Sequence, residues 1–292
     1  MELKSGIAVH NQLPEGYESV RINSGVVFHS DQVADNVNYQ GLSYRPQYED
    51  AAYVARRDWR RLTAGEIRAL RANGKRNDFN TVYAGDIPDT LKEAFSQMGL
   101  AESASRDEVF SKFQGSAEKT RSLSGEIGRF LEPMADGREF KFHCIGINFP
   151  NIEMVGCNTT KLPAGFKPPE VKYMGMHNDG TAKMTVRTAH RFGNRISINL
   201  GKDARSFLFV NLSMIQVLNM LKREAGIEEK DINIGNISGL FFRHFPGYPV
   251  IRIIQKPYQY YIAPTDNCFH DGSTLGNTEL DITIVYFGFF KC

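Results

Sequence analysis

Along the second half of the chain, apolar and polar residues alternate in short runs separated by turn formers, the period of strands with one face buried. Such runs predict strands at 139–148, 171–176, 183–188, 194–200, 205–212, 239–243, 250–254, 259–263 and 281–290. The first two are joined by a connection rich in turn formers, through Asn151, Pro163, Gly165, Pro168 and Pro169. One helix interrupts the strands. It starts at Ser213-x-x-Gln216, a capping box, runs through the apolar positions Met214, Ile215, Leu218 and Leu221, and stops by Gly226.

The first half has a different texture. Residues 1–48 mix turn formers (Pro14, Gly16, Asp35, Asn36, Asn38) with β-like runs such as 24–28, and predict loops and edge strands. From 50 to 131 helix signals recur: Thr63-x-x-Glu66 and Ser105-x-x-Glu108 fit capping boxes, and Gly74, Gly99 and Gly137 fall where helices stop. The expectation is a single α+β domain over 1–292, with a mostly helical and loop region at 1–137. A sandwich or jelly-roll core would follow at 138–292, one helix inserted near 213–226 and the early helices packed outside.

Composition narrows the functional classes. A 41% hydrophobic, 23% charged chain with 20 Phe and 12 Tyr is that of an ordinary folded protein with an aromatic core. A formal net charge of only +2 offers no broad field for nucleic acid or an anionic membrane, so a small-molecule substrate is the expected partner. No run of about 18 apolar residues occurs and the N-terminus lacks a signal-peptide core, which predicts a soluble, cytoplasmic protein. Cys144, Cys157, Cys268 and Cys292 form no C-x-x-C pair and read as reduced thiols; Cys268 draws notice because it stands two before His270. The arginine run at 56–61 around Trp59 fits a phosphate or acidic-partner patch, or a solvated helix face with the indole turned inward; the low net charge favours the latter.

The chemistry concentrates at 174–180, where His177 and Asp179 stand two apart and Gly180 follows. Residues two apart on a strand project to one side, so both can bind one ion. His270, in a loop ahead of the final strand, is well placed to be the third ligand. Two imidazoles and one carboxylate are the set that holds non-haem iron on one face and leaves positions open. His143, His190 and His244 read as structural or surface residues instead.

His177-x-Asp179, the strand-rich second half and the distal His270 before the last strand together resemble the Fe(II)/2-oxoglutarate-dependent dioxygenases with a double-stranded β-helix core. The resemblance covers roughly 172–290. It implies Fe(II) held by His177, Asp179 and His270, with 2-oxoglutarate as co-substrate. It also implies oxidation of 2-oxoglutarate to succinate and CO2, with O2 used to oxidise, most commonly hydroxylate, a substrate C–H bond. Halogenation is disfavoured, since Asp179 fills the position a halide needs. Many members carry a basic residue shortly after the distal histidine to hold the far carboxylate of 2-oxoglutarate; here only Lys291 follows. Another branch carries it on the strand after the first motif, where Arg191 and Arg195 stand. Arg195 shares parity with Ser197 and Asn199, a polar inner face suited to a carboxylate. Arg187, Arg205 and Arg252 are reserves, and Tyr258, Tyr260 and Tyr261 are candidates for lining a pocket. The substrate implied is an amino acid or specialised metabolite. Two other functions compete: an iron oxidase or cupin-like dioxygenase without 2-oxoglutarate, and a non-catalytic jelly-roll binding module.

Overall fold

Strands begin well before Gly137. In the computed structural model, which describes residues 1–72, 80–159, 162, 165–181 and 183–291, the first half forms β1 (Ala8–Asn11), β2 (Val20–Ile22), β3 (Val26–Phe28), β4 (Val37–Tyr39) and β5 (Leu42–Tyr44). β6 (Gln47–Tyr48), β7 (Tyr53–Ala55), β8 (Arg60–Arg61) and β9 (Thr81–Asp86) follow, with helices α1 (Ala64–Leu70), α2 (Asp89–Met98), α3 (Arg106–Gln114) and α4 (Ala117–Ala135). Gly74, Pro163 and Cys292 lie outside the described residues. The second half forms β10 (Lys141–Asn148), β11 (Lys172–Tyr173), β12 (Asn194–Asn199), β13 (Arg205–Phe209), α5 (Met214–Arg223) and α6 (Ile237–His244). It ends with β14 (Ile251–Gln255), β15 (Gln259–Ala263), β16 (His270–Ser273) and β17 (Asp281–Gly288).

The protein is a mixed α+β structure built on two large sheets. The six-stranded sheet runs β1-β9-β15-β12-β17-β10, and the five-stranded sheet runs β16-β13-β14-β2-β8. From β12 onward the chain alternates between them: β12 in the larger, β13 and β14 in the smaller, then β15, β16 and β17 by turns. β3 with β7, β4 with β5 and β6 with β11 form two-stranded pairs.

Side-chain parity separates the layers. Ile196, Ile198, Ile282 and Ile284 point away from the second sheet and pack with Leu91, Phe95, Leu123 and Ile127 of α2 and α4. Each such buried aliphatic side chain contributes about 1.5–3 kcal/mol. Between the sheets, Phe207, Phe209, Ile251 and Ile253 meet Val9, Val82 and Ala263. The Phe207 ring stacks on Tyr261 at 3.9 Å, and Arg205 of β13 pairs with Asp281 of β17 at 2.9 Å. Phe241 and Phe242 of α6 pack with Leu208 and Phe269 in a further cluster.

Four expectations are corrected. The stretch 50–131 is not only helical, because β7, β8 and β9 lie in it, and the strands before residue 48 are not all at edges, because β2 stands between β14 and β8. β9 escapes a search for alternation because both of its covered faces are apolar: Val82 and Ala84 face the inter-sheet core while Tyr83 packs with the α2–α4 layer. Residues 239–243 belong to α6, whose Ile237, Phe241 and Phe242 are buried at helical spacing. Residues 183–188 form turns, in which the Thr185 and Thr188 hydroxyls bond each other and nearby backbone groups, competing with a ladder.

The capping box at Thr63 is reciprocal, and at Ser213 the backbone N and the hydroxyl both donate to Gln216 Oε1. At Ser105 the hydroxyl accepts from Glu108 N, while the Glu108 carboxylate takes Ala104 N. The arginine run is engaged within the fold: Arg57 pairs with Glu153 and Asp35, Arg60 with Glu66 and Arg61 with Glu18, on an edge strand and its approach. Trp59 lies under Arg252 at 4.9 Å. Among the described residues no helix is long and apolar enough to cross a membrane.

Candidate metal centre

Gly175 aims the first ligand. Its φ of +69° turns the chain sharply, and a Cβ there would lie 2.4 Å from the Tyr53 carbonyl oxygen, to which Met176 N donates at 2.8 Å. Beyond this turn the backbone runs beside residues 265–270. His177 N donates to His270 O (3.2 Å), His270 N returns to His177 O (2.7 Å), and Asp179 N donates to Thr265 O (3.2 Å). This short pairing brings residues distant in sequence together, with imidazole centroids 4.7 Å apart.

Donor atoms of His177, Asp179 and His270 all lie within 4.8 Å of one another, a set that can hold a metal ion. His177 Nε2 is 3.9 Å from Asp179 Oδ1, and His270 Nε2 is 3.5 Å from Asp179 Oδ2. Behind each ring, Nδ1 faces the carbonyl two residues upstream: Gly175 O at 2.8 Å and Cys268 O at 3.4 Å. A carbonyl can only accept, so it assigns the proton of each neutral imidazole to Nδ1 and leaves the Nε2 lone pair toward Asp179. Two imidazole nitrogens and a carboxylate, correctly tautomerised, suit a divalent first-row metal.

Charged groups surround this cluster. Arg195 Nη1 is 3.1 Å from Asp179 Oδ2, 3.3 Å from Asp266 Oδ1, and bonded to the Thr265 hydroxyl. Its guanidinium also lies over the Phe287 ring at 5.3 Å, and Lys141 Nζ lies 5.7 Å from the same ring. Burial raises the Asp179 carboxyl's pKa, but the charges of His270, Arg195 and His177 outweigh it and hold the group well below the usual carboxylate range. Burial likewise lowers His177, yet the Asp271 carboxylate 3.6 Å from Nδ1, with the charge of Asp179, lifts it to about 9. His270 is pushed down to about 4, chiefly by burial. Without metal, one imidazole is thus cationic and the other neutral at physiological pH.

Of the two arginines expected to hold a far carboxylate, Arg195 adjoins the cluster, on the face it shares with Ser197 and Asn199. Arg191 lies exposed in a 3-10 turn, Ala189–Arg191, and the ion pairs around Asp179 are made by Arg195 instead. Among the reserves, Arg187 pairs with Glu229, Arg205 with Asp281, and Arg252 stacks on Trp59. Tyr261 faces inward, Tyr260 packs on Phe130 at the helical layer, and Tyr258 occupies a turn with φ 65°. His143 sits at a bulge in β10, between Phe142 and Cys144, where burial and the charge of Arg195 lower its pKa; His190 and His244 lie in the 3-10 turn and at the end of α6. Cys268 is fully buried, and burial drives its thiol pKa far up, so it behaves as packing.

The sequence does not single out Asp266, Asp271 or Gly156. Asp271 is flagged only by following His270. Gly156, 21 residues upstream of His177 along an irregular connection, carries no local signal. Comparison of the chain with protein-family models, with curated proteins and with solved structures finds no match to any of them.

Proposed function

We propose that this protein is a non-haem Fe(II)- and 2-oxoglutarate-dependent oxygenase that oxidises, by hydroxylation, a C–H bond of a small molecule such as an amino acid or specialised metabolite. The observation that carries this reading is the convergence of His177, Asp179 and His270, with both imidazoles presenting Nε2 toward the carboxylate. The alternation of β12 to β17 between two sheets, with β10-β17-β12-β15 opposite β16-β13-β14, supports a jelly-roll, double-stranded β-helix core. In such a core the metal ligands stand on a short strand approach (His177, Asp179) and at the start of β16 (His270).

Fe(II) held there would supply activation of O2 coupled to oxidative decarboxylation of 2-oxoglutarate. The chain's own contributions are electrostatic and geometric. Asp179 stays ionised because three cationic or cation-capable groups face it. Arg195 and Lys141, both against Phe287, make one wall basic, which favours a dicarboxylate; Arg195 would grip its far end.

A second reading, iron chemistry without 2-oxoglutarate, is favoured by one fact: the Arg195 guanidinium is already shared by Asp179 and Asp266. Anaerobic Fe(II) titration followed by O2-uptake measurements separates the readings. Uptake that requires 2-oxoglutarate and yields succinate supports the first. Uptake independent of it supports the second, and absence of a tight metal site removes both. His177→Ala and Asp179→Ala are expected to abolish metal binding and uptake while leaving the chain folded.

A further inference from the structure

Behind His177 lies a carboxylate that is not a member of the donor cluster. The Asp271 side chain has no exposed surface, and its Oδ1 accepts from Gly156 N at 2.8 Å and from Gly272 N at 2.6 Å. Those two backbone donors fix the carboxylate plane. Oδ2 is buried without a hydrogen bond among the described residues and stands 3.6 Å from His177 Nδ1. A buried carboxylate oxygen is costly to leave without a donor, and that ring N–H is the one facing it. His270 is backed differently, by the Cys268 carbonyl at 3.4 Å.

The space for this arrangement comes from Gly156. A Cβ at 156 would lie 2.4 Å from His177 Cε1 and 3.1 Å from each Asp271 oxygen, so any side chain there displaces the ring or the carboxylate. β16 therefore has two tasks in consecutive residues, a ligand at 270 and a support for the other imidazole at 271.

We propose that Asp271 is the positioning residue of His177: Gly175 O accepts the Nδ1 hydrogen, and the fixed, unpaired Oδ2 faces the same ring edge at 3.6 Å, its charge favouring that tautomer and ring plane and keeping Nε2 free for metal, in a cradle that Gly156 leaves open. This rests on the metal-site reading given above. Carboxylate–histidine–metal arrangements of this kind tune affinity by about 10–100-fold.

Asp271→Asn tests it in the full-length chain. Because Oδ1 already accepts two backbone N–H groups, the asparagine oxygen must take that position, and its NH2 then opposes the His177 Nδ1 hydrogen. Two measurements are made: Co(II) affinity with its visible absorption, and the tautomer of neutral His177 by two-bond 1H–15N correlation in metal-free protein at alkaline pH. Gly175 O still favours the Nδ1 hydrogen, so the expected result is a measurable share of the Nε2–H tautomer, absent from wild type, with Co(II) binding weakened about 10–100-fold. Full retention of the Nδ1 hydrogen with unchanged Co(II) affinity overturns the proposal. If wild type binds no Co(II), the metal reading fails, while the tautomer still decides the role of Asp271. Should Asp271→Asn not fold, Gly156→Ala decides: an unchanged Co(II) affinity and spectrum overturn the cradle, and loss of both supports it.

Discussion

Arg195 Nη1 lies 3.1 Å from Asp179 Oδ2, so one cation touches the carboxylate that the metal would share. The contact gives Arg195 two duties that mutation can separate, keeping Asp179 ionised and offering positive charge to an incoming anion. Arg195→Met removes both, whereas Arg195→Lys keeps the charge and loses the fork geometry. Fe(II) affinity is expected to fall about 10–100-fold in Arg195→Met and to recover in part in Arg195→Lys. The KM for 2-oxoglutarate should rise in both. Calorimetric metal titration beside O2-uptake kinetics reads the two effects, and a KM unchanged in both variants rules out Arg195 as the co-substrate anchor.

Metal binding should release a proton. His177 in the metal-free protein is held cationic up to about 9, while His270, pushed to about 4, is already neutral. Below pH 9 a metal must displace the His177 proton, so affinity rises with pH, by about tenfold per unit, and levels off above it. The same raised pKa stabilises the metal-free fold. That contribution is fully present below the ordinary imidazole value and is lost as pH rises through about 9. Metal-free protein should therefore show, from this group, a melting temperature that declines from neutral to alkaline pH. Titrations in buffers of different ionisation enthalpy count the proton, and a count of zero at neutral pH contradicts the assignment.

Arg205 and Asp281 bridge the two sheets as a buried pair at 2.9 Å, with Gln255 also against the guanidinium. Asp281→Ala strands a buried cation and is expected to cost about 3–5 kcal/mol in chemical denaturation. Replacing both partners with apolar residues of similar volume, as in Arg205→Met with Asp281→Leu, should recover most of this. A double variant no more stable than Asp281→Ala would show that the charges themselves are needed.

Gly175→Ala probes the turn that aims His177. Alanine pays about 1–2 kcal/mol for the left-handed conformation, and its Cβ meets the Tyr53 carbonyl oxygen at 2.4 Å. The variant should melt lower and bind metal more weakly than wild type. A drop in melting temperature without a change in metal affinity would mean that the turn adjusts while the ring stays in place.

Much of this protein follows from local pattern. The runs behind β12, β14 and β17 have one apolar and one polar or mixed face, and that alternation is visible even where the polar face is buried, as at Ser197, Asn199, Asp281 and Thr283. The spacing of His177 and Asp179 is likewise local, and so are the capping boxes at Thr63 and Ser213, whose partners lie three residues apart. Apolar residues on both faces, or pairing across long stretches of chain, leave no such trace. β9 is covered by helices on one face and by the second sheet on the other, and α6 hides its helical period in a run of aromatics. The side-by-side passage of 177–179 and 265–270 depends on main-chain hydrogen bonds that no side-chain pattern encodes. Parity on β12 already favoured Arg195 over Arg191; that it meets Asp179, and that Asp271 and Gly156 stand behind His177, was decided by the tertiary structure. The sequence by itself determined which residue types were available and which faces they shared, because those depend on neighbours a few positions away. Which of them meet depended on strand order, an energy summed over the whole fold.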